Sequence, residues 1–156
     1  MITTRTQAEA FDVAAETAAL THGRTDIGAI VTFTGNVRAD ASPDAAALDA
    51  LVLEHYPAMT DRQMAAIAAQ AWARWPLLGG TVIHRHGRLL PGEPIVLVAI
   101  TSAHRAAAFE AAEFLMDWMK TRAPFWKREE RGAAHNWVAA KASDDAAADR
   151  WEPGRP

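Results

Sequence analysis

The chain contains no cysteine among its 156 residues. This absence excludes disulfides, thiolate nucleophiles, persulfide carriers and cysteine-based zinc sites. A basic excess is also missing, because the net charge is -3 and the isoelectric point is near 6.0, which argues against broad binding to nucleic acids or membrane surfaces. If sulfur chemistry takes place here, the sulfur arrives on another molecule.

Long apolar runs are absent as well. No stretch of the sequence approaches the roughly 20 apolar residues of a membrane span, and the opening MITTRTQAEAF lacks the apolar stretch of a signal peptide. We therefore expect a cytoplasmic protein. Half of the residues are apolar and six are tryptophan, so we expect an ordered globular domain with a core of its own.

Lysine is scarce. Lys120, Lys127 and Lys141 stand against thirteen arginines. Arginine is permanently charged, whereas a desolvated lysine can lose its proton and act as an acid, a base or an amine nucleophile. The two lysines of KTRAPFWK therefore indicate positions that need a compact ammonium able to release a proton.

A proline bend separates these two lysines. Because Pro124 must end the helix before it, the bend can bring Lys120 and Lys127 toward one pocket, with Phe125 and Trp126 as its apolar wall. Two ammoniums in a partly dry pocket depress one another's pKa, leaving one to bind an anion and one to transfer a proton. The alternative is two solvated lysines near a helix end, where the helix dipole stabilises them.

Local patterns predict an α+β fold with a mixed, mainly antiparallel sheet and packed helices. The strand-prone segments, rich in β-branched and aromatic residues, cover residues 2–6, 28–34, 48–55, 81–86 and 95–101. The last two are predicted to form a hairpin around the turn-rich RLLPGEP. Helices are predicted over 12–22, over 60–75 and from 102 to the proline at 124. A single catalytic domain is expected over 1–141, and a short helix and tail over 142–156.

Capping and burial are predicted for each helix. Asp12 caps the first helix and Gly23 stops it, Thr60 and Gln63 form a capping box for the second, and Ser102 caps the third. Apolar residues at helical spacing are expected in the core. They are Met64, Ile67, Ala68, Ala71, Trp72 and Trp75 on the second helix, and Phe109, Ala112, Leu115, Met116 and Met119 on the third.

Two histidines alternate along one strand. His84 and His86 have a spacing that can ligate a metal, but no third ligand is evident nearby. A partly buried, hydrogen-bonded pair is the favoured interpretation.

The segment TSAHR, residues 101–105, places two cations at the start of the third predicted helix. The helix dipole disfavours positive charge there, yet His104 and Arg105 occupy the first turn. Free N–H groups at a helix start bind phosphate readily, and arginine adds a forked donor. We predict a phosphate or carboxylate site, the alternative being a surface arginine paired with a glutamate of the same helix, for which Arg105 and Glu110 have a poor spacing. Arg38 also lies at a strand exit, before the loop ADASPDAAA, which either covers a site or is simply solvated.

Five segments between residues 28 and 141 have a distinctive order and spacing. They are VTFTGNVR, LEHYPAMT, VIHRHGRLLPGE, TSAHRAAAFEAAEFLMDWMKTRAPFWKRE and WVAAK. Together they resemble the MoaE family, the large catalytic subunits of molybdopterin synthase. The resemblance implies an α/β hammerhead-type fold and a heterotetramer, in which a dimer of large subunits carries a small ubiquitin-like subunit at each end.

The resemblance also implies a reaction. The C-terminal glycine of the small subunit carries a thiocarboxylate, which enters the large subunit's pocket. It donates sulfur, twice, to cyclic pyranopterin monophosphate and so forms the dithiolene of molybdopterin. No cofactor and no metal are implied for the chain itself.

By motif position, the resemblance implies a role for eleven residues. Lys120 and Lys127 match the active-site lysines. The matches to substrate-binding positions are Phe33, Asn36, Val37, Arg38, His104, Arg105, Arg128, Glu129 and Lys141. Two of them depart from the family pattern: Asn36 stands where relatives often have lysine, and Lys141 where relatives often have an arginine that reaches the neighbouring protomer's site.

Sulfur transfer from an acyl donor needs a basic pocket that holds a phosphate, stabilises oxyanions and moves protons near neutral pH. We assign proton transfer to Lys120 and positioning of the thiocarboxylate or the pterin to Lys127, and the reverse assignment stays open. Two other functions also stay open. A phosphate-ester hydrolase would use the same basic pocket, and a non-catalytic adaptor would bind an acidic partner tail.

Overall fold

The computed structural model describes residues 1–39, 46–138 and 149–151, which form three helices and eight strands in two sheets. The helices are α1 (Val13–Thr21), α2 (Pro57–Arg74) and α3 (Arg105–Thr121). The strands are β1 (Ile2–Gln7), β2 (Ala29–Asn36), β3 (Ala50–His55), β4 (Leu77–Arg85), β5 (Gly87–Leu89), β6 (Pro94–Ser102), β7 (Phe125–Arg131) and β8 (Ala134–Val138). The predicted α+β class is confirmed.

The strands divide between a sheet ordered β1-β4-β6-β2 and a sheet ordered β5-β3-β7-β8. All of the pairings are antiparallel except β1 with β4. The predicted hairpin is present as β4 and β6. The connection between these two strands, however, contains β5, which pairs with β3. The hairpin of the first sheet therefore contributes a strand to the second sheet.

Helices α2 and α3 cover one face of the first sheet. Met64 of α2 and Leu115 of α3 are fully buried in one cluster with Val98 and Ile100 of β6. A smaller cluster of Val37, Leu48, Leu53 and Leu89 lies where the chain leaves β2 and meets the second sheet. This second cluster matters for function because it fixes the residues next to Arg38.

The predicted ends of the first helix are confirmed. The carboxylate of Asp12 accepts the N–H groups of Ala14 and Ala15 at 2.9 and 3.1 Å, which satisfies two donors of the first turn. Gly23 has φ +68°, a conformation that favours glycine and ends the helix.

The predicted caps of the other two helices are wrong. Helix α2 already begins at Pro57, whose fixed φ suits a first helical position, and Thr60 lies inside the helix with its hydroxyl buried and unbonded among the described residues. Ser102 is still in β6. Its hydroxyl donates to the carbonyl of Pro76 at 2.9 Å, and His104 is the N-cap without a side-chain hydrogen bond.

Two predicted core aromatics are on the surface. Trp72 is 39% exposed and Phe109 is 61% exposed. Met116, seven residues beyond Phe109 in the same helical row, is buried. Ala108 and Ala111, on either side of Phe109 in the sequence, are both fully buried, so Phe109 lies at the margin of the buried face of α3. Periodicity gives the direction of a helix face but not its width.

The C-terminal residues 149–151 dock on α2 and α3. The ring of Trp151 packs edge-on against Trp75 and Phe114, and its indole N–H donates to Asp117 at 2.7 Å. The guanidinium of Arg74 lies 5.4 Å from the centre of the Trp151 ring. Most of the predicted C-terminal helix, over 142–148, lies outside the described residues.

No helix in the described part of the chain is both long and apolar enough to cross a membrane.

A buried arginine joins three segments near the end of β4. The side chain of Arg85 is 7% exposed, its Nε donates to the Ala8 carbonyl at 3.0 Å, and its Nη1 donates to the Pro94 carbonyl at 2.9 Å. The carboxylate of Glu93 lies 3.6 Å away. Arg85 thus holds the segment after β1 and the start of β6 against β4.

Replacing Arg85 with methionine is expected to lower the free energy of unfolding by about 3 kcal/mol, because two carbonyls lose their donor in a buried site. Urea unfolding followed by tryptophan fluorescence measures the change. The control is Arg62→Met, at an exposed position of α2, where a change within about 0.5 kcal/mol is expected. Equal changes in the two variants would contradict a structural role for Arg85.

Candidate active site

The chain leaves β2 through a clamped strand exit. The N–H of Val37 donates to the Glu93 carbonyl at 2.8 Å, and the Val37 carbonyl accepts the N–H of Gly92 at 2.7 Å. Val37 itself is buried, while Asn36 and Arg38 on either side are exposed. Arg38 therefore projects from a fixed backbone position. The side chain of Val37 packs in the smaller core cluster, and its predicted contact with substrate stays a prediction.

Phe33 lies earlier on the same strand. It pairs with Val98 of β6 and is 41% exposed. Because β2 is an edge strand of the first sheet, its outer backbone edge has no neighbouring strand in the described chain. Phe33 is thus an exposed aromatic at an open sheet edge.

The two lysines flank the bend after α3. Lys120 is in the last turn of the helix and is exposed, whereas Lys127 is half-buried as the third residue of β7. The proline bend therefore does carry the chain from the helix into the second sheet at this end. Because Lys120 is exposed, the described part of the chain does not enclose both lysines in the dry pocket that the sequence predicted.

The side chains of β7 alternate between two faces. Lys127 and Glu129 share a face with Phe125, and Arg128 is on the opposite face. Glu129 forms an ion pair with Arg131 at 3.0 Å. One protomer therefore does not place Arg128 and Lys127 on the same side of the sheet.

The predicted anion site lies at the start of α3. His104 and Arg105 are both exposed, and neither side chain has a hydrogen-bond or ion-pair partner within the described ranges. Gly28 keeps this turn close to β2, since a Cβ at residue 28 would come within 2.2 Å of the Ala103 carbonyl oxygen. Two cations thus stand at a helix N-terminus on a tightly packed turn.

The two groups of predicted site residues occupy opposite ends of the first sheet. Asn36, next to Arg38, pairs with Pro94 at the start of β6, and Ala29 pairs with Ser102 at its end, just before His104. Strand β6 has nine residues, so at a rise of about 3.3 Å per residue the two ends are roughly 25 Å apart. Helix α3 runs back along the sheet and brings Lys120 to the Arg38 end.

Lys141, the remaining predicted contact, lies outside the described residues.

A row of rings joins the two sheets beside Lys127. The His84 ring stacks on Phe125 with centroids 3.8 Å apart and an interplanar angle of 19°, and Phe125 is followed by His55 at 5.7 Å and then His86 at 4.4 Å from His55. His84 is buried, and its Nδ1 contacts the Arg85 carbonyl at 2.8 Å. The prediction of a partly buried, hydrogen-bonded histidine is confirmed for His84.

Burial sets the protonation of this row. The pKa of His84 is lowered to about 4, chiefly by burial, with a smaller contribution from the nearby ammonium of Lys127 and an opposing effect of the hydrogen bond to the Arg85 carbonyl. Burial also lowers the pKa of His55, with a contribution from His86. Among the described residues, no group of three histidine, aspartate or glutamate side chains is arranged to hold a metal ion.

The pKa of His84 predicts a pH dependence of stability. Since the unfolded side chain has its ordinary value of 6.5 and the folded one about 4, the unfolded chain binds one more proton between these limits. Stability is therefore lost as the pH falls from 6.5 to 4, by roughly 3 kcal/mol at most.

Replacing His84 with phenylalanine should remove this dependence. Urea unfolding of both proteins from pH 7 to pH 4 measures it, and the difference between the two curves isolates His84 from the carboxylates, which titrate in both. Parallel curves would show that His84 takes up its proton normally in the folded state.

A hollow of ligand size lies elsewhere in the described part of the chain. It has a volume of about 420 Å³, lies between α2 and α3, and is lined by Gln63, Ala66, Ile67, Gln70, Trp118 and Arg122. None of the predicted site residues lines it. The chemistry-bearing groups are instead spread over open surface at the two sheet ends.

The sequence did not indicate the contact between His84 and Phe125. The two residues are 41 positions apart, and only the sheet pairing brings them together. The available signal was weak: a histidine directly after the apolar pair Val82 and Ile83 in a strand, and an aromatic directly after the proline bend.

Comparison with known proteins gives a consistent result. The family model described as MoaE protein matches residues 6–122. The molybdopterin synthase catalytic subunit of Mesorhizobium japonicum is 58% identical over 96% of this chain and 93% of its own length. The solved molybdopterin biosynthesis MoaE protein from Burkholderia ambifaria MC40-6 is 46% identical and has a TM-score of 0.81, covering 97% of this chain and 98% of that chain.

A more distant likeness involves a complex. The protein–protein complex of subunit 1 and 2 of molybdopterin-converting factor from Helicobacter pylori 26695 contains a chain that is 19% identical with a TM-score of 0.72, covering 88% of this chain and 91% of that chain. At that identity the likeness shows a shared fold.

Proposed function

Because the chain belongs to the MoaE protein family, we propose that it is the catalytic subunit of a molybdopterin synthase. It transfers sulfur from the C-terminal thiocarboxylate of a small ubiquitin-like subunit to cyclic pyranopterin monophosphate, and so builds the dithiolene of molybdopterin. The observation that carries this proposal is the 58% identity to a molybdopterin synthase catalytic subunit over nearly the whole of both chains. We place the reaction in the cytoplasm.

The lysines supply the proton and charge chemistry of the transfer. Lys120 acts as the acid or base, and Lys127, half-buried on β7, positions the thiocarboxylate or the pterin. The small subunit's tail covers Lys120 when it inserts, which dries a site that is open in the free protomer. A dry site strengthens the hydrogen bonds that stabilise a developing oxyanion.

The substrate phosphate requires a second group of residues. We assign it to Arg38, His104 and Arg105, because charge-assisted donors and a helix N-terminus both favour a phosphate. Since His104 and Arg105 lie roughly 25 Å from the lysine end of the same protomer by the rise of β6, they serve the site of a second copy. Each site is then composite, with the lysines and Arg38 from one protomer and the helix start from its partner.

The exposed parts of the chain support such a homodimer. Phe33 and Phe109 are exposed aromatics, and β2 and α3, which carry them, pack against each other. Exposed apolar surface of this kind favours a partner chain. The remaining family contacts, Asn36, Arg128 and Glu129, are assigned to substrate binding at the composite site, together with Lys141.

The proposal is tested by mixing the purified chain with thiocarboxylated small subunit and cyclic pyranopterin monophosphate. Molybdopterin should form, and mass spectrometry should show the small subunit's terminal sulfur replaced by oxygen. When inorganic sulfide replaces the small subunit in this mixture, no molybdopterin should form, because the chain has no cysteine with which to carry sulfur. Release of phosphate without sulfur transfer would indicate a hydrolase, and tail binding without turnover would indicate an adaptor.

A further inference from the structure

The ring row beside Lys127 fixes the start of β7 from a different sheet. Phe125 is the first residue of β7, directly after the proline bend, and His84 belongs to β4 of the first sheet. Their rings stack at 3.8 Å and 19°, whereas the His55 ring, from the neighbouring strand of the same sheet as β7, is 5.7 Å away. His84 is therefore the nearer stacking partner of Phe125.

His84 is itself held in place. It is 6% exposed, and its Nδ1 lies 2.8 Å from the Arg85 carbonyl oxygen. A carbonyl oxygen only accepts, so Nδ1 carries a proton. Since burial lowers the pKa of this ring, Nε2 is unprotonated near neutral pH. The ring therefore has both its plane and its tautomer set before any substrate arrives.

Lys127 follows Phe125 by two residues on the same face of β7. Two strand residues advance the chain by about 6.6 Å, so a shift or tilt of Phe125 displaces the lysine backbone directly. Strand β7 is held within its own sheet by pairing with β3, Lys127 with Leu53 and Phe125 with His55. The His84 ring adds a contact to Phe125 from the other sheet.

We propose that His84 is a positioning residue, whose neutral ring, stacked on Phe125, sets the placement of the Lys127 ammonium. The placement of Lys127 is inferred from the ring stack and the strand geometry, and only its consequence for sulfur transfer rests on the proposed function. The titratable groups that face His84 are Lys127 from β7, His55 from β3 and His86 after β4. All three are cations when protonated, so a second charge at His84 would repel the ammonium that it places.

The scarcity of lysine allows a direct test. Reductive methylation with ¹³C-formaldehyde labels the side-chain amines, and only three lysines are present. The NMR signal of Lys127 should shift in His84→Ala, which removes the ring, and should stay near its original position in His84→Phe, which keeps the stack. Lys120 is the internal control, and His22→Ala, at an exposed position after α1, is the control variant.

Activity gives the second readout. In single-turnover assays with thiocarboxylated small subunit, His84→Ala should slow transfer about tenfold to a hundredfold, the scale expected for a misplaced reacting group. His84→Phe should recover at least half of the wild-type rate. If His84→Ala does not fold, His84→Leu replaces it, because leucine fills the site without a ring.

The outcomes separate the two claims. An unmoved Lys127 signal in His84→Ala, or equal shifts in the alanine and phenylalanine variants, would overturn the positioning role. A lower melting temperature with an unchanged rate per folded molecule would also overturn it, leaving His84 as a core residue. If the wild-type chain itself transfers no sulfur, the proposed function fails while the Lys127 signal still decides the positioning.

Discussion

Replacing Lys120 with arginine is expected to slow single-turnover sulfur transfer by roughly 10² to 10⁴, the usual scale for removing a positioned acid or base. Arginine keeps a positive charge in the last turn of α3, where the helix dipole stabilises cations. It does not lose its proton in a protein. A large loss would therefore report proton transfer rather than charge.

The fold should be unaffected, because Lys120 is exposed and lies outside the core clusters. Circular dichroism and small-subunit binding by calorimetry check that point. The matched control is Arg62→Lys, which exchanges the same two residue types in the reverse direction on the exposed surface of α2, and its rate should stay near that of the wild type. If Lys120→Arg kept more than about half of the wild-type rate, Lys120 would be an electrostatic contact.

Local chemistry made parts of the fold predictable. The cap at Asp12 and the stop at Gly23 depend only on neighbouring backbone groups, and both are present. The hairpin of β4 and β6 was also predictable, because its strands are adjacent in sequence. The division into two sheets was not, since β5 is only three residues long and pairs with a strand some 35 residues earlier.

Burial was less predictable than secondary structure. Phe109 lies in the apolar row of α3 and is nevertheless exposed, because the sequence does not tell how wide the buried face of a helix is. Thr60 fits a capping box by composition, yet the proline at 57 starts the helix a turn earlier. In both cases tertiary packing or a stronger local signal overrides the pattern.

The residue types of the candidate site are visible in the sequence, but their relative placement is not. Scarce lysines and cations at a helix start are visible in the sequence, since they depend on residue type and local position. The distance between them depends on the length of β6 and on the reversal of α3, which set Arg105 and Lys120 at opposite ends of the sheet. In a two-fold symmetric dimer, the Lys120 end of each protomer can lie against the Arg105 end of its partner, which gives two equivalent sites.

This composite site leads to the second large expected effect. One variant carries His104→Ala with Arg105→Ala, and another carries Lys120→Ala with Lys127→Ala. Each homodimer lacks one half of both of its sites, and we expect its turnover to fall at least 100-fold, since acid–base residues alone account for about 10² to 10⁴.

A heterodimer of the two variants should recover activity. Its two sites differ. One site takes intact lysines from the His104/Arg105 variant and an intact start of α3 from the Lys120/Lys127 variant. The other site combines the damaged lysines with the damaged helix start. Co-expression with two different affinity tags isolates this heterodimer, and its turnover per dimer should be about half that of the wild type, because one site of two is complete. A site contained within one protomer would be damaged in both halves of the heterodimer. An inactive heterodimer that is folded and binds the small subunit would therefore rule out the composite site.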